Sequence, residues 1–508
     1  MLAVNRRRRS SVFPAHGFRN GRTGDYPQGT DMSGWIPKLA ALAAIAALTS
    51  GCAQVVAGTG AVERSDPGQV AGLAVTTGDS GPRPGATDAG LPVVGTDGSA
   101  VDKIAENAVA DVQSFWQKEL PADFGKDFAP VKQLVSYDSN GPARKVCNSS
   151  TAGLVNAFYC AADDDIAWDR GQLLPQLDDS FGPMAIVAVL AHELGHAVQF
   201  RLGSVTQATP TIVKEQQADC FAGTFIRSVA EGSSPHFQVS TGPGLNQIMA
   251  TLFFVRDSAG SSAQASSAHG DAFDRVTAFQ LGFADGAKRC AQIDAHEVQG
   301  RITEQQFSPD DVDRGLGKGN LRVTDQSALR DLQTTLRSAF DQTGAQPPTI
   351  VAGQRACPDA KPTSPAAYCP STNQITLDTT NLARIGTPPQ QGTKGGIGDF
   401  AAFAEIASRF ALAVEHATGH AVDRASTGQL TACLTGMWAG TITPAHQGAL
   451  QLSPGDLDEA VAEMLNGSSL IAADVNGAAV PSGFTRVEAF RDGFTSTGPA
   501  ICVSKYGA

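Results

Sequence analysis

The chain says much of itself twice. LAHELGHAVQ at residues 190–199 returns as VEHATGHAVD at residues 414–423, and the echo extends in order along both halves. DVQSFWQKEL from Asp111 is matched by DLQTTLRSAF from Asp331. AFYCAADDDIAWD, ending at Asp169, is matched by AAYCPSTNQITLD, ending at Asp378. EQQADCFAG from Glu215 pairs with GQLTACLTG from Gly428, and FDRVTAFQLGF from Phe273 with FTRVEAFRDGF from Phe484. Matches in one order read as two copies of a single unit. The period is too long for a solenoid, so a pair of tandem domains is expected rather than an array. A chain of 508 residues accommodates both copies with segments to spare.

The cysteines follow the same plan. Nine are present, and setting Cys52 aside leaves four per copy. Cys147 and Cys160 correspond to Cys357 and Cys369; Cys220 and Cys290 correspond to Cys433 and Cys502. Four cysteines allow three pairings. The repeated spacings favour Cys147–Cys160, Cys220–Cys290, Cys357–Cys369 and Cys433–Cys502. Disulfides imply an oxidising compartment. No CxxC pair occurs, so the cysteines do not read as zinc ligands.

Ahead of the copies, MSGWIPKLAALAAIAALTSGC runs from Met32 to Cys52. Its apolar stretch, residues 39–48, is well short of the ~20 residues that span a bilayer and reads as the core of an export signal. Met1 and Met32 are both possible starts. The ending LTSGC resembles the lipobox of bacterial lipoproteins, which implies lipidation at Cys52 and an exported, extracytoplasmic, membrane-anchored protein. Residues 53–99, rich in Gly, Ala, Ser, Thr, Asp and Pro, read as a flexible, disordered tether. The expected organisation is therefore a signal and lipoprotein segment over 1–52, the tether over 53–99, a first copy over 100–300, a linker over 301–321 and a second copy over 322–508. A net charge of -12, with the only dense basic run at residues 6–9, excludes nucleic acid as a partner.

Pro183 opens an apolar, helix-permissive run that stops at Gly203, and residues 211–232 read as a second helix. The Ser, Thr and Pro between them allow an antiparallel hairpin. DIAWD reads as a short strand, giving an α+β unit, mainly helical with a small sheet. On the first helix His192 and His196 are four apart, so both imidazoles leave one face and can grip one metal ion. Glu193 stands beside them as a general base. Zinc in a catalytic site takes three protein ligands, and Glu215 across the hairpin is the candidate third. Asp219, one turn further, can accept the free N–H of a ligating histidine.

HExxH followed by an ExxxD helix resembles the glutamate-ligand zinc metallopeptidases. More narrowly, AFYC, HELGHAVQ, EQQADCFAG and the HGDAFDR–GF segment resemble the bacterial putative neutral zinc metallopeptidase family. The resemblance implies a zincin-like fold, Zn2+ as cofactor, and hydrolysis of a polypeptide substrate in the cell envelope. In such a mechanism Glu193 moves the proton and His269 is a candidate to stabilise the oxyanion.

The second copy loses this set. Ala417 stands for Glu193, Gly428 for Glu215, Ala432 for Asp219, and Val480 falls opposite His269. His416 and His420 remain, read as core or partly buried histidines. Only a few residues separate His420 from Gly428, too few to end a helix and turn back. The second copy is expected to keep the fold without the chemistry. The alternative from another class is a non-catalytic, envelope-anchored binding or scaffold lipoprotein with a vestigial or structural zinc site.

Overall fold

Proline and glycine set the ends of the longest apolar run. The structure, a computed structural model, describes residues 64–313, 316–389, 396–446 and 448–507. Cys52, the export segment and residues 53–63 of the expected tether lie outside the described residues. Within them, the apolar run is a helix from Pro183 to Leu202. Pro183 occupies the first turn, where its missing N–H goes unneeded, and Gly203, at φ 64, closes the last turn on Gln199 O.

The described chain enters through short strands β1 (Gln69–Val70), β2 (Leu73–Ala74), β3 (Gly81–Pro82) and β4 (Val93–Val94). Then come α1 (Ala100–Phe124), β5 (Gln133–Tyr137), a hairpin of β6 (Lys145–Val146) and β7 (Ser149–Ser150), β8 (Ala157–Cys160) and β9 (Asp165–Asp169). Helices α2 (Leu173–Phe181), α3 (Pro183–Leu202) and α4 (Thr211–Ala230) precede β10 (Phe237–Gln238). The half closes with α5 (Pro243–Phe254), α6 (Ala272–Asp285), α7 (Ala287–Gln292), α8 (Ala295–Arg301) and α9 (Pro309–Asp313). Its sheet runs β4-β5-β9-β8, with β8 antiparallel at the edge.

The C-terminal half repeats that order. It has α10 (Gln326–Phe340), β11 (Thr349–Ala352), β12 (Ala366–Cys369), β13 (Gln374–Leu377), α11 (Thr379–Ile385) and α12 (Asp399–Ala417). After these come α13 (Thr427–Thr441), α14 (Asp456–Leu465), α15 (Gly483–Phe494) and α16 (Ala500–Tyr506). Its sheet, β11-β13-β12, has the strand directions of β5-β9-β8. The fold is α+β, helices with small sheets. The closest helix contact recurs too: a Cβ on Gly282 would run into Cys220 O, and one on Gly493 into Cys433 O. Those glycines let α4 meet α6, and α13 meet α15, backbone to backbone. All four favoured disulfides are formed.

Three expectations change. Residues 64–99 are not a tether. Thr76 and Thr241 exchange amide–hydroxyl hydrogen bonds of 2.8 and 3.0 Å, Ser80 accepts from Ser240 N, and Val70 is fully buried. Small hydroxyl side chains satisfy the backbone here, so few bulky residues are needed to fix the segment. It also bonds to the other half, through Ser65 N to Lys505 O and Thr485 Oγ1 to Gln69 O. The halves do not stand apart as separate domains either. Residues Ala61–Ala508 form one body with an apolar core running through both halves. The expected linker is part of it: Thr303 N donates to Asp274, and Leu321 N to Asp399.

The third change concerns the echoed histidines. Helix α12 ends at Ala417, so His416 is exposed in its last turn and His420 lies beyond it. The hairpin to α13 therefore forms after all. Counted from the helix starts at Pro183 and Asp399, His192 and Ser408 are both tenth, Glu193 and Arg409 eleventh, His196 and Leu412 fourteenth. Tyr368 on β12 lies against His416, and Tyr159 on β8 against Arg201, positions that agree with that register to within one residue. The repeated phrase is thus about two turns out of structural register.

Candidate metal centre

Helices α3 and α4 run as the expected hairpin, and Gly195 brings them together. A Cβ there would stand 2.9 Å from the Ala218 Cα, so the small residue inside HELGH is what lets α4 close on the two histidines. Three ligand-type side chains then converge. His192 Nε2 lies 3.2 Å from Glu215 Oε2, and His196 Nε2 lies 3.5 Å from Glu215 Oε1. The ring centroids are 5.0 Å apart. Two donor atoms bound tetrahedrally at zinc-ligand distances stand ~3.4 Å from each other, so both separations suit one zinc ion held by this trio.

The outer nitrogens are occupied, which turns each Nε2 inward. His192 Nδ1 is 2.7 Å from Asp219 Oδ1, and His196 Nδ1 is 3.0 Å from Gln199 Oε1. Asp219 is in turn gripped by Arg275, with Nε on Oδ2 at 3.0 Å and Nη2 on Oδ1 at 2.9 Å. This is the carboxylate–histidine arrangement that fixes tautomer and ring orientation at metal sites.

The charges also fit a cation. Glu193, Glu215 and Asp219 surround two imidazoles and one guanidinium. Burial opposes a charged His192, yet Asp219 and Glu215 push its pKa up to about 10. Burial would lift Glu215, but the two imidazoles hold it well below its ordinary 4.5. The two shifts record one mutual attraction between imidazoles and carboxylates; with the imidazoles neutral, the carboxylates outnumber the single guanidinium, a balance that a divalent ion would redress.

Beside the trio is a cleft of about 160 Å³, lined in part by His192, Glu193, His269 and Arg275. Asn156 and Ala157, at the start of the edge strand β8, form one side, and Leu173, Ala188, Val189, Leu252 and Val255 give it apolar walls. Glu193 reaches into the cleft with Oε2 accepting the Tyr159 N–H at 3.0 Å. His269, with 47% of its side chain exposed, is held by Asp257 through its backbone N–H and Nδ1, at 2.6 and 3.3 Å. The hydrogen bond to Asp257 raises the His269 pKa above its ordinary 6.5.

Residues 44–296 match the family described as "putative neutral zinc metallopeptidase". The N-terminal half belongs to that family. An uncharacterized protein of Mycobacterium tuberculosis is 29% identical over 154 residues, covering 26% of this chain and 53% of the relative. The uncharacterized protein YpfJ of Escherichia coli is 27% identical over 201 residues, covering 36% of this chain and 68% of the relative. The chain thus spans about half the length of the mycobacterial relative. No solved structure matches it.

Within this half, the structure brings together the candidate metal-ligating and catalytic side chains named from the sequence: His192, His196 and Glu215 as a trio, Asp219 behind it, Glu193 and His269 in the cleft. The sequence reading missed Arg275, Gln199, Asp257 and the Tyr159 N–H. Arg275 stood in the quoted FDRVTAF, and its echo Arg486 was a visible signal. In the C-terminal half, where Ala432 stands at Asp219's place, Arg486 instead donates to the carbonyls of Val480 and Met464. At Glu193's place, Arg409 is buried and donates to the carbonyls of Leu470, Ala473 and Asp474. At the three ligand places this half has Ser408, Leu412 and Gly428, a set with neither imidazole nor carboxylate. Among the described residues, no helix is long and apolar enough to cross a membrane.

Proposed function

We propose that this protein is a zinc-dependent peptidase of the bacterial cell envelope, with one active centre in the N-terminal half and a silent duplicate in the C-terminal half. The observation that carries the reading is the convergence of His192, His196 and Glu215 beside a cleft that also holds a general base. A purely structural zinc site has no use for Glu193. His192, His196 and Glu215 would hold the ion, which when bound supplies Lewis-acid polarisation of the scissile carbonyl and a more acidic water.

The rest is done by the chain. Tyr159 N–H fixes Oε2 of Glu193, leaving Oε1 to take the proton of the attacking water and pass it to the leaving amine. Asp257 orients His269 at the cleft as a donor to the developing oxyanion. Asp219 and Arg275 hold the His192 ring. Export and a lipid anchor at Cys52 are supported by LTSGC and by the disulfides, which persist in oxidising compartments.

The test compares wild type with Glu193→Ala on casein and on a peptide library. Zinc should stay bound in both, while cleavage falls by at least ~1000-fold in the variant, as when an essential proton-transfer group is lost. Equal cleavage by both, or none by zinc-loaded wild type, would leave the non-catalytic scaffold reading in its place.

A further inference from the structure

One carboxylate of the C-terminal half is bonded to the segments that frame the metal centre. Asp458, on α14, is 3% exposed and lies beside the first turn of α6. Its Oδ1 accepts from Ala272 N at 2.8 Å and Phe273 N at 3.3 Å. These are amides that a helix start leaves without intrahelical partners. Asp271 caps Asp274 N in the usual way, so the first turn of α6 is satisfied by one residue of its own half and one of the other.

The second oxygen of Asp458 accepts from Arg256 Nε at 2.7 Å. Arg256 is the neighbour of Asp257, and Asp257 holds His269 and Gly270 by their amides. Asp458 therefore joins both ends of the loop that carries His269: the Arg256–Asp257 end before it and the α6 end after it. One turn into α6 stands Arg275, which grips Asp219 behind His192. The remainder of α6 also rests on the C-terminal half. Phe273 packs on Phe490 and Phe494, and Gln280 Nε2 donates to Phe484 O.

We propose that Asp458 is a positioning residue for the N-terminal centre, by which the C-terminal half seats α6 and the Asp257–His269 pair. The half that lost its own chemistry thus completes the geometry of the other. The inference rests on the peptidase reading for its activity readout only.

Its test uses the full-length protein, with zinc content and kinetics read at pH 8, above the value of about 7 to which burial pushes Asp458, and the His269 titration read over a pH series. Asp458→Ala is compared with Asp458→Asn, which keeps an acceptor for the α6 amides. Zinc content, kcat and KM on casein-derived peptides, and the imidazole titration of His269 by NMR are measured. At saturating zinc, Asp458→Ala should still load one ion per chain and keep KM within a few-fold. Its kcat should fall ~10–100-fold, the scale of a misplaced catalytic group. The His269 titration should move down towards 6.5 as Asp257 loosens, and Asp458→Asn should recover part of both.

An Asp458→Ala protein with wild-type kcat and wild-type His269 titration overturns the proposal, as does loss of zinc at saturation. If wild type cleaves nothing, the peptidase reading fails alone, and the His269 titration still decides this one. If Asp458→Ala does not fold, Arg256→Gln decides: it breaks the Asp458 arm that leads to Asp257 and leaves the α6 amides their acceptor, and an unmoved His269 titration would sink the idea.

Discussion

Replacing Arg275 by leucine should separate stability from metal binding. The guanidinium is 4% exposed, the Asp219 side chain is fully buried, and two charged hydrogen bonds of 2.9 and 3.0 Å join them. Removing one partner of a buried pair leaves an uncompensated charge, at a cost of ~3–5 kcal/mol. The orphaned carboxylate must then either stay charged in an apolar surround or take a proton. In both cases it holds the His192 ring less firmly, and loss of such an outer partner weakens metal binding ~10–100-fold. The double variant Asp219→Leu/Arg275→Leu removes both charges and should recover much of the stability, because an apolar pair of similar volume often replaces a buried ion pair without loss. It should not recover zinc affinity, since His192 Nδ1 then has no acceptor. Chemical denaturation of the zinc-free protein with its disulfides intact measures the first quantity, and competition with a zinc chelator the second. A single variant with unchanged zinc affinity and a stability loss under ~1 kcal/mol would refute the assigned role of Arg275.

Two further outcomes follow from the frame around the site. Removing Cys220–Cys290, which closes 70 residues, should destabilise by ~4 kcal/mol, against ~3 kcal/mol for Cys147–Cys160, which closes 13; paired Cys→Ala variants and denaturation midpoints check the order. Glu415 is buried, hydrogen-bonded by Thr431 through Oε1 with Oε2 unpartnered, and burial pushes its pKa from 4.5 up to about 8. The folded form therefore keeps a proton that the unfolded chain releases. That contribution is fully present below pH 4.5 and is lost as pH rises to about 8. Glu415→Gln should gain on wild type by on the order of a few kcal/mol between pH 5 and 8, read from denaturation at each pH.

What the sequence disclosed depended on how local the cause was. The ends of α3 were readable because Pro183 and Gly203 act within one turn. The trio was readable because two of its members share a helix face, and Glu215 opens the next helix. The disulfide pairs followed from spacings that recur in the other half. Partners supplied only by tertiary packing were not readable: Asp257 and Asp458 reach their targets from separate elements, and Arg275 left no trace beyond its echo Arg486. Residues 64–99 misled because a segment poor in bulky side chains can still be fixed by reciprocal amide–hydroxyl pairs. His416 and His420 misled for a different reason. Sequence likeness aligned them with His192 and His196, whereas the helix start at Asp399 places them two turns too late, and Arg409 fills the position of the base.

The central claim is that three side chains of the N-terminal half hold a single zinc ion. Elemental analysis of the purified full-length protein, together with X-ray absorption at the zinc edge, tests it directly. About one zinc per chain in a nitrogen- and oxygen-only shell is predicted, with the ion lost in Glu215→Ala and retained in His416→Ala. Sulfur in that shell, two ions per chain, or full occupancy without Glu215 would contradict it.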